Sequence, residues 1–92
     1  MNIGIIGSGV AGLTLCYLLG NDGHKITLIE KNNRLGGHTN TYDIKSGEDR
    51  GLKIDTGFIV FNDKNYPYFI DLLNNLGVTY ENSDMSFSFW NV

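Results

Sequence analysis

An α/β fold is predicted by three features of the sequence: a parallel βαβ unit, an antiparallel β excursion after it, and a second helix. The first 30 residues carry two short apolar runs separated by a glycine turn and a stretch of helical period. The middle of the chain loses that period and alternates weakly between apolar and polar residues. A second helical pattern opens near Pro67.

Each element follows from its local pattern. Ile3, Ile5 and Ile6 form an apolar run ended by Gly7, and continuous β-branched character suits a parallel strand buried on both faces. From Val10 the spacing changes. Val10, Leu13, Cys16 and Tyr17 recur at helical intervals, and Leu15, Leu18 and Leu19 widen the stripe. Gly20 stands where a helix C′ glycine belongs, before the turn residues Asn21, Asp22 and Gly23. Residues 26–29 read as a second strand, ending at Glu30, and the crossover between the two strands is expected to be right-handed.

Residues 31–37 are polar and end in Gly36-Gly37, so they read as a loop. Residues 38–44 read as a strand and 45–51 as a charged turn. Residues 52–55 and 58–61 read as two short strands around Thr56-Gly57, which makes this region an antiparallel excursion. Residues 65–76 are the second helix. Phe69, Leu72, Leu73 and Leu76 keep the i, i+3, i+4, i+7 spacing, Pro67 suits the first turn and Gly77 the end. Residues 78–81 and 85–90 read as strands, the latter with Met85, Phe87 and Phe89 on one face. The domain reading is a binding segment over residues 1–61 and the start of a second segment over residues 62–92.

Composition narrows the function classes. A chain of 92 residues sits near the size at which a sufficient core becomes difficult to build. The formal net charge is −3 and no basic block occurs. Non-specific nucleic-acid binding needs clustered cations, so it is not expected, and an anionic membrane surface is not expected either. The apolar stretch over residues 3–19 lacks a basic region before it and is broken by Gly7, Ser8, Gly9, Gly12 and Thr14. It therefore reads as strand, turn and helix, not as a signal peptide or membrane span, and a cytoplasmic location is expected. The one cysteine, Cys16, excludes an internal disulfide and reads as a small core residue. No metal-ligand spacing and no nucleophile–base pair is present.

The chemistry lies in Gly7-Ser8-Gly9-Val10-Ala11-Gly12, a G-x-G-x-x-G between a predicted strand and a predicted helix. Gly7 permits the strand-to-helix turn, Gly9 lets a pyrophosphate approach the backbone, and Gly12 lets the helix pack close to the strands. The free amides and positive dipole end of the helix then face the phosphates. Glu30 stands 18 residues beyond Gly12 (30 − 12), near the roughly 20 expected of the ribose-binding acid. A carboxylate there can accept both hydroxyls of an adenosine ribose and would repel a 2′-phosphate. The bland alternative is a solvated Glu beside a structural glycine turn. The fold expected is therefore a Rossmann-like FAD/NAD(P)-binding βαβ unit. A complete doubly wound domain is larger, so this is read as an incomplete one.

Lys31-Asn32-Asn33-Arg34-Leu35-Gly36-Gly37-His38-Thr39 favours FAD over NAD. A second glycine pair with a nearby Arg supplies another close backbone approach and a cation, which suits a long cofactor. NAD remains the alternative.

These three stretches, residues 5–12, 28–30 and 34–39, resemble the flavin-containing amine oxidase superfamily, which includes monoamine oxidases, phytoene desaturases and protoporphyrinogen oxidases. Ile54-Asp55-Thr56-Gly57-Phe58 is similar to that family's Asp-x-Gly segment near the flavin. Residues 36–41 with 54–62 look like a branch described only as NAD/FAD-binding proteins. The resemblance implies that Gly7, Gly9 and Gly12 line the pyrophosphate, with Ser8 and Val10 giving backbone contacts and Ala11 within the same turn. It places Glu30 on the ribose with Lys31 beside it, and Arg34 toward the adenosine. Gly36, Gly37, His38 and Thr39 would lie at the cofactor's middle, and Asp55, Thr56 and Gly57 would approach the flavin through backbone groups. Many members carry Arg where this chain has His38, and a neutral imidazole holds a pyrophosphate less firmly.

The implied parent is a flavin-dependent oxidoreductase acting on a small-molecule substrate by hydride transfer to flavin N5. The chain itself would be its inactive N-terminal portion, with an open sheet edge prone to self-association. No residue here is nominated as a catalytic acid or base. The alternatives are a NAD-binding dehydrogenase domain, a non-catalytic dinucleotide-binding module, and a remnant that binds nothing.

Overall fold

A computed structural model describes residues 1–84, 86 and 88–91 of the chain. They form two compact units, Met1–Ile59 and Val60–Val92.

The first unit opens with strand β1 (Asn2–Ile6), helix α1 (Val10–Asn21) and strand β2 (Lys25–Ile29). The two strands are parallel and in direct register, from Asn2↔Lys25 to Ile6↔Ile29. Backbone bonds extend the pairing at both ends, from the Lys25 amide to the Met1 carbonyl and from the Gly7 amide to the Ile29 carbonyl. This is the βαβ unit that the apolar runs predict. Alternate residues of each strand are covered, Ile3 and Ile5 on β1 and Ile26 and Leu28 on β2, and Ile5 is buried. The other face is open, with Ile6 at 85% exposure. The expected burial on both faces is therefore met on one face only among the described residues. The outward side of α1 is open as well, with Leu15 and Leu18 about half exposed.

Gly20 does not end the helix. α1 runs through it to Asn21 and is capped at Asp22, and the left-handed conformation falls on Gly23 (φ 89°). A glycine three residues further on was available for the reversal, so Gly20 keeps helical geometry inside the last turn.

Strands β3 (Thr39–Asp43) and β4 (Lys53–Gly57) form a separate antiparallel pair, the excursion expected between the βαβ unit and the second helix. An exposed ion pair between Lys53 and Asp43 at 2.8 Å closes its far end. The two short strands expected at residues 52–55 and 58–61 are replaced by one. Gly57 takes a left-handed φ of 82°, which breaks extended geometry, and its partner Thr39 is the first residue of β3. Residues 58–61, beyond this break, are not in a strand.

The second unit is built on α2 (Pro67–Leu76), with Pro67 in the first turn and Gly77 left-handed at the C-cap, as the sequence predicts. The Asn62 side chain accepts the amides of Lys64 and Asn65 in the turn before it. Phe61 packs edge-to-face on Phe69 and on Tyr80, at centroid distances of 5.1 and 5.3 Å. Residues 78–81 are not in a strand. For the strand expected at 85–90, Met85 and Phe87 lie outside the described residues, and Ser86, Ser88, Phe89 and Trp90 are not in a strand. No helix among the described residues is long and apolar enough to cross a membrane.

Candidate functional site

The site starts at the turn between β1 and α1. Gly7 adopts a φ of 98°, which L side chains rarely take, and this turns the chain out of the strand. Gly9 is the N-cap of α1, with φ −74° and ψ −174°. The amides of Val10, Ala11 and Gly12 open the helix and have no carbonyl one turn earlier to bond. The first helical bond of this end runs from the Leu13 amide to the Gly9 carbonyl at 3.0 Å.

The three glycines have different reasons for being glycine. At Gly7 the reason is the backbone angle. At Gly12 it is packing: a Cβ there would land on the Gly7 carbonyl oxygen, 3.0 Å from the Gly7 carbonyl carbon and 3.5 Å from the Ile5 side chain. At Gly9 neither applies. Its φ is open to any residue, and a Cβ would meet only the Gly37 Cα at 4.0 Å. The space in front of Gly9 is thus kept clear for no purpose internal to the fold.

Ser8 lies between them and is completely buried. All its polar groups are used inside the chain. Its amide donates to Glu30 Oε1 at 3.0 Å, its hydroxyl donates to the same oxygen at 2.5 Å, and its carbonyl accepts the Gly36 amide at 2.8 Å. Glu30, at the end of β2, also accepts the Asn32 amide on Oε2 at 3.0 Å. These donors hold its carboxyl at about 2, well below its ordinary 4.5. The Ser8 hydroxyl contributes most, then the Asn32 and Ser8 amides, with a smaller pull from the Lys31 amide.

A pH effect follows. The folded pKa lies below the unfolded one, so the stabilisation is complete above about pH 4.5 and is lost as pH falls toward about 2. Acid titration followed by circular dichroism is expected to show Glu30→Gln losing less stability than the parent across that window. Equal losses would show that Glu30 is not linked to folding.

The second glycine loop packs on the first. A Cβ on Gly37 would stand 2.8 Å from the Gly9 Cα, so the two turns touch backbone to backbone. The Arg34 guanidinium shapes this loop. It donates to the carbonyls of Leu35, Gly37 and Thr39 at 3.2, 2.8 and 3.1 Å. The cation that the sequence supplies is thus committed to its own loop, although it lies on the surface. One step further, a Cβ on Gly57 would land on the His38 carbonyl oxygen. Gly9, Gly37, His38 and Gly57 therefore form a continuous line from the helix N-terminus to the end of the β3–β4 hairpin.

The remaining candidates stand around this line. Lys31, His38 and Thr39 are exposed, as are Val10 and Ala11. The side chains of Asp55 and Thr56 bond within the hairpin, Asp55 accepting from the Thr41 hydroxyl at 2.7 Å and Thr56 donating to the Asn40 carbonyl at 2.9 Å. Two contributions were not read from the sequence. One is the hydroxyl of Ser8 on Glu30, signalled only by a hydroxyl residue between the two glycines. The other is the Asn32 amide, for which a backbone group leaves no signal. Among the described residues no cluster of His, Cys, Asp and Glu could hold a metal ion.

Residues 5–76 match the model of the NAD(P)-binding Rossmann-like domain. The chain belongs to this family. Its residues 5–76 take in both glycine turns, Glu30 and the β3–β4 hairpin of the Rossmann-like domain described above. Curated relatives include L-amino-acid oxidases. That of Siganus canaliculatus is 49% identical over 53 residues, covering 58% of this chain and 10% of the relative. That of Bungarus fasciatus is 48% identical over 44 residues, covering 47% and 8%. That of Notechis scutatus scutatus is 44% identical over 53 residues, covering 58% and 10%. The chain thus spans about a tenth or less of the length of the relatives it matches. The motif resemblance to flavin-containing amine oxidases holds in these matches.

Proposed function

We propose that this chain is the N-terminal FAD-binding portion of a flavin-dependent oxidoreductase of the amine-oxidase type. The observation that carries the reading is Gly9. Its glycine is required neither by its own backbone angle nor by any neighbour, and it stands before helix amides without acceptors. A pyrophosphate is the group that needs both a missing Cβ and free amides at that place. Glu30, kept ionised beside it, suits a ribose hydroxyl and disfavours a 2′-phosphate, which argues against NADP.

The residues fit the adenosine diphosphate half of such a cofactor. Gly9, Val10, Ala11 and Gly12 would hold the diphosphate, and Glu30 with Lys31 would border the ribose. Gly7 and Ser8 set the shape of the turn. Gly36, Gly37, His38 and Thr39, with Arg34 bracing them, would border the cofactor where it leaves the first turn, and Asp55, Thr56 and Gly57 continue that border. A flavin held there would supply the chemistry for oxidising a substrate C–H bond. These residues bind and orient; none is placed to move a proton. The L-amino-acid oxidase relatives favour an amino acid or related amine as substrate of the whole protein. Their far greater length and the open outer face of α1 favour reading this chain as one part of a larger protein.

The family's description favours NAD as the second reading. Titration with FAD, NAD and ADP-ribose, followed by flavin fluorescence and calorimetry, separates the two. FAD binding competed by ADP-ribose is expected. NAD binding without FAD binding would establish the second reading, and binding of none would overturn both.

A further inference from the structure

The second glycine turn is a wall of the space in front of Gly9. The Gly37 Cα stands 4.0 Å from where a Gly9 Cβ would be, and a Cβ on Gly37 would come within 2.8 Å of the Gly9 Cα. Where Gly37 sits therefore sets the width of that space. Its own backbone does not fix it there. Gly36 and Gly37 take φ of 113° and 61°, a region that glycine enters freely and leaves as freely. The near end of the turn is tied by the Gly36 amide, which donates to the Ser8 carbonyl at 2.8 Å. At Gly37 the carbonyl is held by Arg34 Nη2 at 2.8 Å, while Nη1 donates to the Leu35 and Thr39 carbonyls on either side at 3.2 and 3.1 Å. One rigid, planar guanidinium thus fastens three carbonyls of one turn.

We propose that Arg34 is a positioning residue, which holds Gly37 against Gly9 and so sets nucleotide affinity through the shape of the turn and not through its own charge. The inference rests on the nucleotide-binding reading above, and it gives Arg34 the turn as its partner in place of the adenosine. A guanidinium that donates to three carbonyls of its own loop would have to give them up to reach a phosphate or an adenosine. The side chain is exposed, so water can take over those carbonyls when Arg34 is replaced. None of its bonds reaches β1, α1 or β2. The βαβ unit then stays folded, and what falls is the fraction of molecules with Gly37 in place. Affinity falls by that fraction.

The test is calorimetric titration of the full chain with ADP-ribose, beside thermal melts, in the parent, Arg34→Gln and Arg34→Lys. Arg34→Gln is expected to bind about tenfold more weakly at an unchanged Tm. Arg34→Lys keeps the charge but has no planar fork, and it is expected to bind as weakly as Arg34→Gln. Parent-like affinity in Arg34→Lys would show that charge is what counts, and parent-like affinity in Arg34→Gln that the side chain does not act on the site. Either result overturns the inference and leaves the nucleotide-binding reading standing. A fallen Tm in Arg34→Gln would assign Arg34 to the fold and overturn the inference as well. Gly37→Ala displaces the same turn from its other side, since its methyl group would meet the Gly9 Cα. Combined with Arg34→Gln, it is expected to weaken binding by much less than the product of the two single losses, because both act on one turn. Losses that multiply would overturn the inference. Should Gly37→Ala fail to fold, the two Arg34 variants decide the matter without it. Failure of ADP-ribose to bind the parent would overturn the nucleotide-binding reading and the inference together.

Discussion

Replacing Gly9 with valine is expected to abolish dinucleotide binding while the fold stands. Valine accepts the observed φ of −74° and extended ψ, and the only atom near its Cβ is the Gly37 Cα at 4.0 Å. The helix loses no cap bond, since Gly9 makes none with a side chain and its carbonyl still accepts the Leu13 amide. What the branched side chain fills is the space before the Val10, Ala11 and Gly12 amides. A diphosphate displaced from there loses several charge-assisted bonds together. An affinity loss of about a hundredfold or more is the expected scale. The check is calorimetric titration with ADP-ribose beside a thermal melt. Unchanged affinity would remove the ground for a phosphate site at this turn. A collapse of the melt would show that the glycine serves the fold after all.

How much of this was legible in the sequence depends on the range of the interaction. The βαβ unit was readable because its signals are local: an apolar run, a glycine turn, a helical stripe and a second run. The turn at Gly7 and the close packing at Gly12 were readable too, because a G-x-G-x-x-G between strand and helix leaves few arrangements. Helix α2 was readable from both ends, through Pro67 and Gly77. The misreadings arose where two candidates competed. Gly20 and Gly23 both suit a helix end, and only the return to β2 chooses between them. Residues 58–61 have strand composition, but the left-handed Gly57 ends the β3–β4 ladder before them.

The site shows the same division. Glu30 could be placed by counting from Gly12, yet its occupancy could not. Ser8 gives both of its donors to one carboxylate oxygen across 22 residues of chain, and nothing in its neighbours announces that. The second glycine pair was read as making room for a cofactor. The structure shows that Gly37 first makes room for Gly9, and that Arg34 spends its guanidinium holding the loop in that position. Close contact between two backbone turns leaves only glycines in the sequence, and glycines alone do not say what they approach.

The third glycine of the same motif is expected to fail in the opposite way. Gly12→Ala adds one methyl group, and it would fall on the Gly7 carbonyl oxygen with the Ile5 side chain 3.5 Å away. The obstacle is backbone, so no rotamer change relieves it. Either the α1 N-terminus moves off β1 or the Gly7 turn opens, and both separate the helix from Ile5, the one buried apolar side chain of the described core. Overpacking against rigid atoms costs about 3 kcal/mol or more, against the ~5–15 kcal/mol that holds a small domain together. For a chain of this size that is a fall in Tm of about 12 °C or more. Loss of nucleotide binding would follow from loss of the turn, in parallel with unfolding and not in its absence. The two substitutions therefore separate the duties within one hexapeptide. Gly9→Val should remove affinity at constant Tm, and Gly12→Ala should lower Tm first. If Gly12→Ala melted with the parent, the close helix–strand approach that fixes the Gly7 turn would not exist, and the proposed diphosphate site would lose its geometry with it.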